Sequence, residues 1–218
     1  HGIDILHCKR DLCIDESHVL YKRRLSFKQY KPERSRFEIK TFVLCDCKTG
    51  YVLDFIIYTG AISDVDTFSK KFGRSGNIVV NLLQQYLGKG HRLFVDNCFS
   101  SPALFKFLHN CTMNSCGTVR KRREGMPKME EKLKNGELSF RSSGNLLALK
   151  WQNKHEVWML STSHSAEYRN SRKINHRTVA RGILCGNDGM RSCKNNKPAA
   201  KRRKHKDPQN FSKAMQRK

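Results

Sequence analysis

Apolar runs separated by turn residues recur from residue 11 to residue 163 and predict a series of β-strands. The pattern predicts a short strand at 12–14 and a hairpin formed by 37–44 and 51–58, because the residues between these two runs are typical of a hairpin loop. The segment 91–96, HRLFVD, predicts a further strand that ends in a carboxylate. Later apolar runs predict strands at 116–120, 146–151 and 156–161.

Two segments carry the signals of helices. Apolar residues between 77 and 87 recur at helical spacing, and Gly88 and Gly90 follow as a stop. Ser101 and Pro102 have the pattern of a helix cap followed by a first-turn proline. The buried face of that second helix is predicted to consist of Leu104, Phe105, Phe107 and Leu108. Strands that first meander and then alternate with helices predict an α/β fold with a mixed sheet.

The chain divides into two regions of different composition. Residues 1–167 contain the apolar runs and are predicted to form the folded domain, whereas such runs almost vanish in residues 168–218. From Arg169 onward the sequence has 16 Lys and Arg residues, against Asp188 and Asp207 as the acidic ones. Such a segment buries too little apolar surface to offset the entropy lost on ordering, so we expect a largely disordered basic tail.

The charge balance points to a partner that carries phosphates. The 43 Lys and Arg residues outnumber the 19 Asp and Glu residues, which gives a formal net charge of +24. Nucleic acid is therefore the predicted partner, with a ribosomal-type or anionic-membrane role as the alternative. The longest apolar stretches fall far short of the roughly 20 residues that cross a bilayer, so no membrane insertion is expected.

Nine cysteines are scattered along the chain, an odd number that suits reduced thiols in a nuclear or cytosolic protein. A zinc site is suggested by two pairs of cysteines, Cys45 with Cys47 and Cys185 with Cys193. Structural zinc sites take four ligands at closely paired spacings, however, so packing of Cys45 within a strand is the favoured interpretation.

Two carboxylates, Asp15 and Asp96, follow predicted strands. In an α/β sheet, such residues can converge where neighbouring strands end. Carboxylate oxygens are the ligands that Mg²⁺ and Mn²⁺ require for phosphoryl transfer on DNA. An acid at a strand end is also a common turn former or helix cap, so the spacing alone leaves both interpretations open.

Four motifs in order resemble the transposase domain of the piggyBac family and cover residues 11 to 167. The first is IDESHVLYKRRLSFKQYKPERSRFEIKTFVLCDCKTGYVLDFIIYTG, which is similar to the opening acidic motif, basic segment and hairpin of that family. The others are LFVDNCFSSPALFKFL, then CGTVRKRREGMP, similar to a GTxRxNRKxxP segment, and VWMLSTSHSAE, similar to a WMLST strand. The resemblance implies an RNase H-like mixed sheet with flanking helices.

Carried over residue by residue, the resemblance makes Asp15 and Asp96 the first and second metal-binding aspartates of a DDE-type catalytic triad. The third aspartate of the family lies in a GGVDxxD motif, which this sequence lacks; Asp188, in the context CGNDGM, is predicted to be a surface turn residue. Two carboxylates leave a pair of divalent cations under-coordinated, so strand transfer is not expected. The segment KRRLSF and the pair Phe37 and Glu38 also depart from the family pattern.

Basic clusters follow both the first carboxylate and the strand at 116–120. We predict that they contact DNA phosphates without reading sequence, with a solvated surface as the alternative. The residues assigned to DNA binding are Arg23, Arg24, Lys28, Lys31, Arg120, Lys121, Arg122 and Arg123. In the tail, KPAAKRRKHK has the form of a nuclear-import signal centred on Lys201, Arg202, Arg203 and Lys204, or of a basic tail that adheres to nucleic acid.

Three hypotheses follow. The first is a nuclear, transposase-derived DNA-binding protein that resembles a DDE transposase but has an incomplete catalytic triad, with DNA and an importin-type receptor as partners. The second is a non-catalytic nuclear adaptor for nucleic acid in which the two aspartates are structural. The third is a decayed element without a cellular role. Trp151 and Trp158 are predicted to lie in the core rather than to stack on bases.

Overall fold

The computed structural model describes residues 10–34, 36–60 and 66–164, in which the strands form a single sheet flanked by helices. Short 3₁₀ turns at Pro32–Arg34, Lys70–Phe72 and Gln84–Tyr86 accompany the longer elements. The strands and helices, in chain order, are β1 (Asp11–Leu20), β2 (Gln29–Lys31), β3 (Arg36–Asp46), β4 (Val52–Ile57), α1 (Gly73–Leu83), β5 (Arg92–Val95), α2 (Pro102–Asn110), β6 (Asn114–Thr118), β7 (Leu138–Ser143), β8 (Leu146–Gln152) and β9 (Glu156–Ser161).

The sheet is mixed, and its centre is parallel. Its strand order is β2-β3-β1-β5-β6-β9-β8-β7, and β4 pairs with β3 beyond the stretch that β2 occupies. β1, β3 and β4 pair antiparallel, whereas β1, β5 and β6 run parallel. An antiparallel meander that continues into parallel strands is the RNase H-like arrangement, so the predicted fold class is confirmed.

Both long helices belong to the core on one face of the sheet. Because side chains alternate along a strand, Leu12 and Ile14 of β1 share a face with Leu93 and Val95 of β5. These four residues pack in one buried cluster with apolar residues of α1 and α2, among them Ile78, Leu82, Leu104, Phe105 and Leu108. The opposite face carries Cys13, Phe94 and Cys116, which belong to two smaller apolar clusters.

Local signals placed several elements correctly. Ser101 caps α2 by accepting a hydrogen bond from the Leu104 backbone N–H, and Pro102 opens the helix, as predicted. Cys45 is buried beside Cys13, in agreement with the packing interpretation. Trp158 is buried in the main core, and Trp151 packs against the Leu149 and Met159 cluster.

The prediction for β1 was too short, and two strands were missed. β1 extends to Leu20 because it pairs with β3 as far as Glu38, well past the apolar residues that marked it. β2 and β7 were not predicted, since neither QYK nor LSFRSS has a continuous or regularly alternating apolar pattern. α1 begins at Gly73, before the predicted start at Asn77, and gives way after Leu83 to a 3₁₀ turn.

Several predictions fall outside the part of the chain that the structure describes. They concern the basic tail 168–218, the import segment at Lys201, Arg202, Arg203 and Lys204, Asp188, and the pair Cys185 and Cys193. Within the described ranges, none of the helices has the length and apolar character needed to cross a membrane.

Candidate active site

The two predicted aspartates lie next to each other in the sheet. Pairing between the parallel strands β1 and β5 ends at Ile14 and Val95. Asp15, still within β1, and Asp96, just after β5, are the residues that follow this last pair. The prediction that Asp15 follows the end of its strand was wrong, because β1 continues to Leu20 in its pairing with β3. Asp15 lies opposite Val43 in that pairing. By alternation both aspartates belong to the face of Cys13 and Phe94, opposite the helices.

The Asp96 carboxylate is held by its neighbours. Its Oδ1 accepts hydrogen bonds from the Thr118 hydroxyl at 2.9 Å and from the Asn97 backbone N–H at 2.7 Å. Its backbone carbonyl accepts from the N–H groups of Phe99 and Ser100. The turn after β5 is thereby tied to the end of β6, which fixes the orientation of the carboxylate. Asp15 Oδ1 accepts from the Glu16 backbone N–H at 2.8 Å.

Close approach of β5 and β6 depends on Gly117. A Cβ atom at this position would lie 2.1 Å from the Val95 carbonyl oxygen and 3.0 Å from the Ser100 hydroxyl oxygen. Only glycine allows such an approach without displacing the backbone. Because Val95 immediately precedes Asp96, Gly117 supports the position of the carboxylate.

Negative charge is concentrated around the Cys98 thiol. Burial, followed by the charges of Glu16, Asp96 and Asp15, raises the pKa of Cys98 to about 11. All three carboxylates therefore act on one half-buried thiol, which remains neutral near pH 7. Glu16 is offset by an ion pair with Lys40, whose Nζ lies 2.7 Å from Glu16 Oε1.

A divalent cation fits this site in part. Residues 10–34, 36–60 and 66–164 contain no group of three or more His, Cys, Asp or Glu side chains arranged to hold a metal ion. Two carboxylates, with the Thr118 hydroxyl nearby, are a sufficient protein contribution for one Mg²⁺ that keeps several waters. A pair of metal ions requires a further carboxylate that these ranges do not supply.

The second basic cluster, which consists of residues 120–123, borders the aspartates directly. Arg123 donates to the backbone carbonyls of Asn97 at 2.8 Å and Cys98 at 3.1 Å, so it braces the turn that carries Asp96. Burial, with the charge of Arg120, lowers its pKa from the usual value. Arg120 and Arg122 are exposed, and Lys121 forms an ion pair with Glu156 at 3.2 Å. The arginines at 120 and 122 are therefore the members most accessible to a ligand.

The first basic cluster, which consists of Arg23, Arg24, Lys28 and Lys31, lies farther from the aspartates. Arg23 and Arg24 are exposed in the loop after β1, beyond Leu20. Leu20 is five residues past Asp15, about 17 Å along the strand at roughly 3.3 Å per residue. Lys28, which is half-buried, lies over the Phe37 ring at 4.3 Å, and Lys31 ends β2. The structure does not bring this cluster beside the aspartates.

A buried lysine was missed by the sequence interpretation. Lys150 is 3% exposed, and its Nζ lies 2.9 Å from Glu156 Oε1 and donates to the Glu131 carbonyl at 2.7 Å. Lys150, then Trp158 and Lys121, hold the pKa of Glu156 at about 2. The network ties β8 and β9 to the loop that begins with the second basic cluster. A lysine inside the apolar run LLALKW was the available signal.

Comparison with known proteins gives two findings. Residues 4–185 match the family described as Transposase IS4. The fold is similar to that of a piggyBac transposase, solved by cryo-EM as a synaptic complex with hairpin DNA, with a TM-score of 0.66 and 24% sequence identity. The similarity covers 84% of this chain and 40% of the piggyBac transposase chain, so this chain spans less than half of that protein's length.

Proposed function

The chain belongs to the IS4 transposase family, and from this membership we propose that it is a piggyBac transposase-derived DNA-binding protein that retains part of a metal-dependent strand-cleavage and transfer site. The observation that carries the proposal is the position of Asp15 and Asp96, one residue beyond the last β1–β5 pair and on one face of the sheet. Two adjacent carboxylates on a basic protein suit a site that acts on phosphates.

Asp15 and Asp96 are the residues that would hold a Mg²⁺ or Mn²⁺ ion. When bound, such an ion lowers the pKa of a coordinated water and neutralises charge on a phosphate. The residues around it have separate roles: Thr118 and the Asn97 N–H orient the Asp96 carboxylate, and Arg123 braces its turn. Arg120 and Arg122 are placed to bind DNA phosphates, which positions the DNA without reading its sequence.

In this proposal the catalytic triad of carboxylates is incomplete. Strand transfer by two metal ions needs a third carboxylate, and the sequence has no GGVDxxD motif to provide it. With two carboxylates, the site holds at most one weakly bound cation. We therefore expect DNA binding without strand transfer.

Mn²⁺ binding tests the proposed site. We expect the protein to bind Mn²⁺ weakly in an electron paramagnetic resonance titration and the Asp15→Asn and Asp96→Asn variants to lose at least tenfold in affinity, because each removes half of the carboxylate ligands. Asp54→Asn is the matched control, since Asp54 is an exposed carboxylate on β4. Equal Mn²⁺ binding by all four proteins, with circular dichroism unchanged, would contradict the proposal.

A non-catalytic nucleic-acid adaptor is the second candidate function. It is favoured by the absence, within the described ranges, of three metal-binding side chains in one group. In this case Asp96 serves to order the turn after β5, and the exposed Arg23, Arg24, Arg120 and Arg122 provide the activity. The adaptor predicts that Asp15→Asn leaves affinity for duplex DNA unchanged while the wild-type protein binds no Mn²⁺.

We also propose a nuclear location, supported by the sequence of the tail. Lys201, Arg202, Arg203 and Lys204 form a basic cluster of the kind that importin-type receptors bind. Replacing these four residues with alanine should shift a fluorescent fusion of the chain from the nucleus to the whole cell. An unchanged distribution would remove the support for both the location and the receptor.

A further inference from the structure

Two aromatic side chains are exposed side by side at the edge of the sheet. Tyr30 of β2 pairs directly with Phe37 of β3, and their ring centroids are 5.1 Å apart at an angle of 54°. Tyr30 is 53% exposed and Phe37 is 43% exposed. Most large aromatic residues bury their rings on folding, so an adjacent exposed pair indicates a contact surface.

The surroundings of this pair are cationic. Lys28 Nζ lies 4.3 Å from the centre of the Phe37 ring and also donates to the Arg23 carbonyl at 3.2 Å, which links the ring to the loop of the first basic cluster. Arg23 and Arg24 in that loop are exposed. An aromatic ring beside lysine and arginine side chains is the arrangement that binds single-stranded nucleic acid, in which bases stack and phosphates pair with cations.

The pair lies on the same face of the sheet as the two aspartates. Phe37 and Val43 are six residues apart on β3 and therefore share a face, and Val43 is opposite Asp15. The separation along the strand is about 20 Å at roughly 3.3 Å per residue. A DNA strand that follows this face from the aspartates reaches the aromatic pair within about six nucleotides, because about 3.4 Å per nucleotide is the spacing in a stacked duplex and an unpaired strand can extend further.

We propose that Tyr30 stacks on an unpaired DNA base. Phe37 packs against the tyrosine ring, and Lys28 pairs with the adjacent phosphate. The proposal deepens the proposed function and rests on it, since it names unpaired DNA as the ligand of this surface. Lys28 already covers Phe37, and Tyr30 is the more exposed ring, so Tyr30 is the one that receives the base. Stacking needs no particular base, because every base has a π face.

Another protein chain is a less suitable occupant of this surface. β2 has three residues and is followed directly by Pro32, so it offers little backbone for an added strand, and short edge strands disfavour such pairing. The basic rim of Lys22, Arg23 and Arg24 favours an anionic ligand. A polyanion with planar rings matches both the charge and the aromatic pair.

The ratio of affinities for single-stranded and duplex DNA tests the proposal. Fluorescence anisotropy of the 218-residue chain would be measured with a labelled single-stranded oligonucleotide and with the blunt duplex of the same sequence. Taking the ratio cancels the contribution of basic segments that bind both forms. We expect Tyr30→Ala to weaken single-strand binding by roughly 5- to 100-fold and to change duplex binding by less than about twofold.

Two matched variants serve as controls. Tyr30→Phe keeps the ring and should bind single-stranded DNA as the wild type does. Tyr51→Ala removes a tyrosine of similar exposure, 55%, from the turn before β4 and should change neither affinity. Thermal unfolding of each variant should match the wild type, because both tyrosines are exposed.

The outcomes separate this proposal from the proposed function. If the wild type binds duplex DNA but Tyr30→Ala leaves the ratio unchanged, the stacking surface is wrong and the DNA-binding function stands. If Tyr30→Ala weakens both forms equally, or if Tyr30→Phe is as weak as Tyr30→Ala, base stacking is likewise overturned. A wild-type chain that binds neither form overturns both proposals. An increase in self-association that depends on Tyr30 would assign the surface to a second copy of the chain instead.

Discussion

At the scale of single residues, the position of Asp96 depends on atoms that have no charge of their own. Gly117 allows β6 to lie against the Val95 carbonyl, and Thr118, the next residue, donates its hydroxyl hydrogen bond to Asp96 Oδ1. The sequence CGTVR therefore carries out two tasks in adjacent positions: close approach of the strands and orientation of the carboxylate.

We predict that Gly117→Ala destabilises the protein by about 2 kcal/mol, because a Cβ atom 2.1 Å from the Val95 oxygen forces the two strands apart. Urea denaturation followed by circular dichroism measures the change. Adding Ser100→Ala should not restore stability, since the dominant clash is with the backbone and not with the Ser100 hydroxyl. Full recovery in the double variant would show that the side chain is the obstacle.

At the scale of elements, local signals predicted the start of α2, but not the start of α1 or the lengths of the strands. The α2 start could be predicted because Ser101 and Pro102 act within the first turn. The extent of β1 could not, because His18 to Leu20 are held in the strand by pairing with β3, twenty or so residues away in sequence. β7 likewise exists through its pairing with β8, and its own sequence is largely polar and exposed.

The Glu156 network should make stability depend on acid. Hydrogen bonds from Lys150, then Trp158 and Lys121, depress the pKa of Glu156 from 4.5 to about 2 in the folded protein. A depressed carboxylate pKa contributes stability that is fully present above the unfolded value of 4.5 and is lost as pH falls toward 2. Because Glu156 is itself exposed and solvent screens its interactions, Glu156→Gln should be less stable than wild type by only about 1 kcal/mol near pH 7, and the difference should shrink below about pH 4.5.

Urea denaturation at a series of pH values checks this prediction. Glu130→Gln is the control, because Glu130 is an exposed acid in the loop between β6 and β7 and its replacement should have little effect at any pH. A difference between wild type and Glu156→Gln that is as large near pH 3 as near pH 7 would contradict the assigned role. Glu156→Gln leaves the buried Lys150 without its carboxylate partner. Adding Lys150→Met removes this unpaired charge and should therefore recover part of the stability.

At the scale of the molecule, the candidate site combines residues of very different predictability. Asp96 could be identified locally, because it ends an apolar run and precedes a capped helix. The pairing of Asp15 with the same site depends on β1 lying beside β5, which no local pattern specifies and which the family resemblance implied. The exposed pair of Tyr30 and Phe37 arises from β2, a strand held in place by three residue pairs with β3, so its sequence gave no indication of it.

The two faces of the sheet should differ in their contribution to DNA binding. α2 packs on the face opposite the aspartates, so Lys106, exposed on that helix, points away from the proposed DNA path. Arg122 is exposed in the loop after β6, next to the turn that carries Asp96. If DNA binds along the face of the aspartates, Arg122 displaces counterions from phosphates on binding and Lys106 does not. Each phosphate contact adds about 0.9 to the steepness of a plot of log affinity against log salt concentration.

We therefore predict that Arg122→Ala reduces that slope for duplex DNA by about 0.9, whereas Lys106→Ala, which removes the same charge, leaves it unchanged. The measurement is a KCl series of binding titrations by fluorescence anisotropy. Because both variants lower the net charge equally, a general effect of charge would change the two slopes alike, and this result would exclude a preferred face. A reduction confined to Arg122→Ala would place the DNA on the side of the sheet where Asp15 and Asp96 lie.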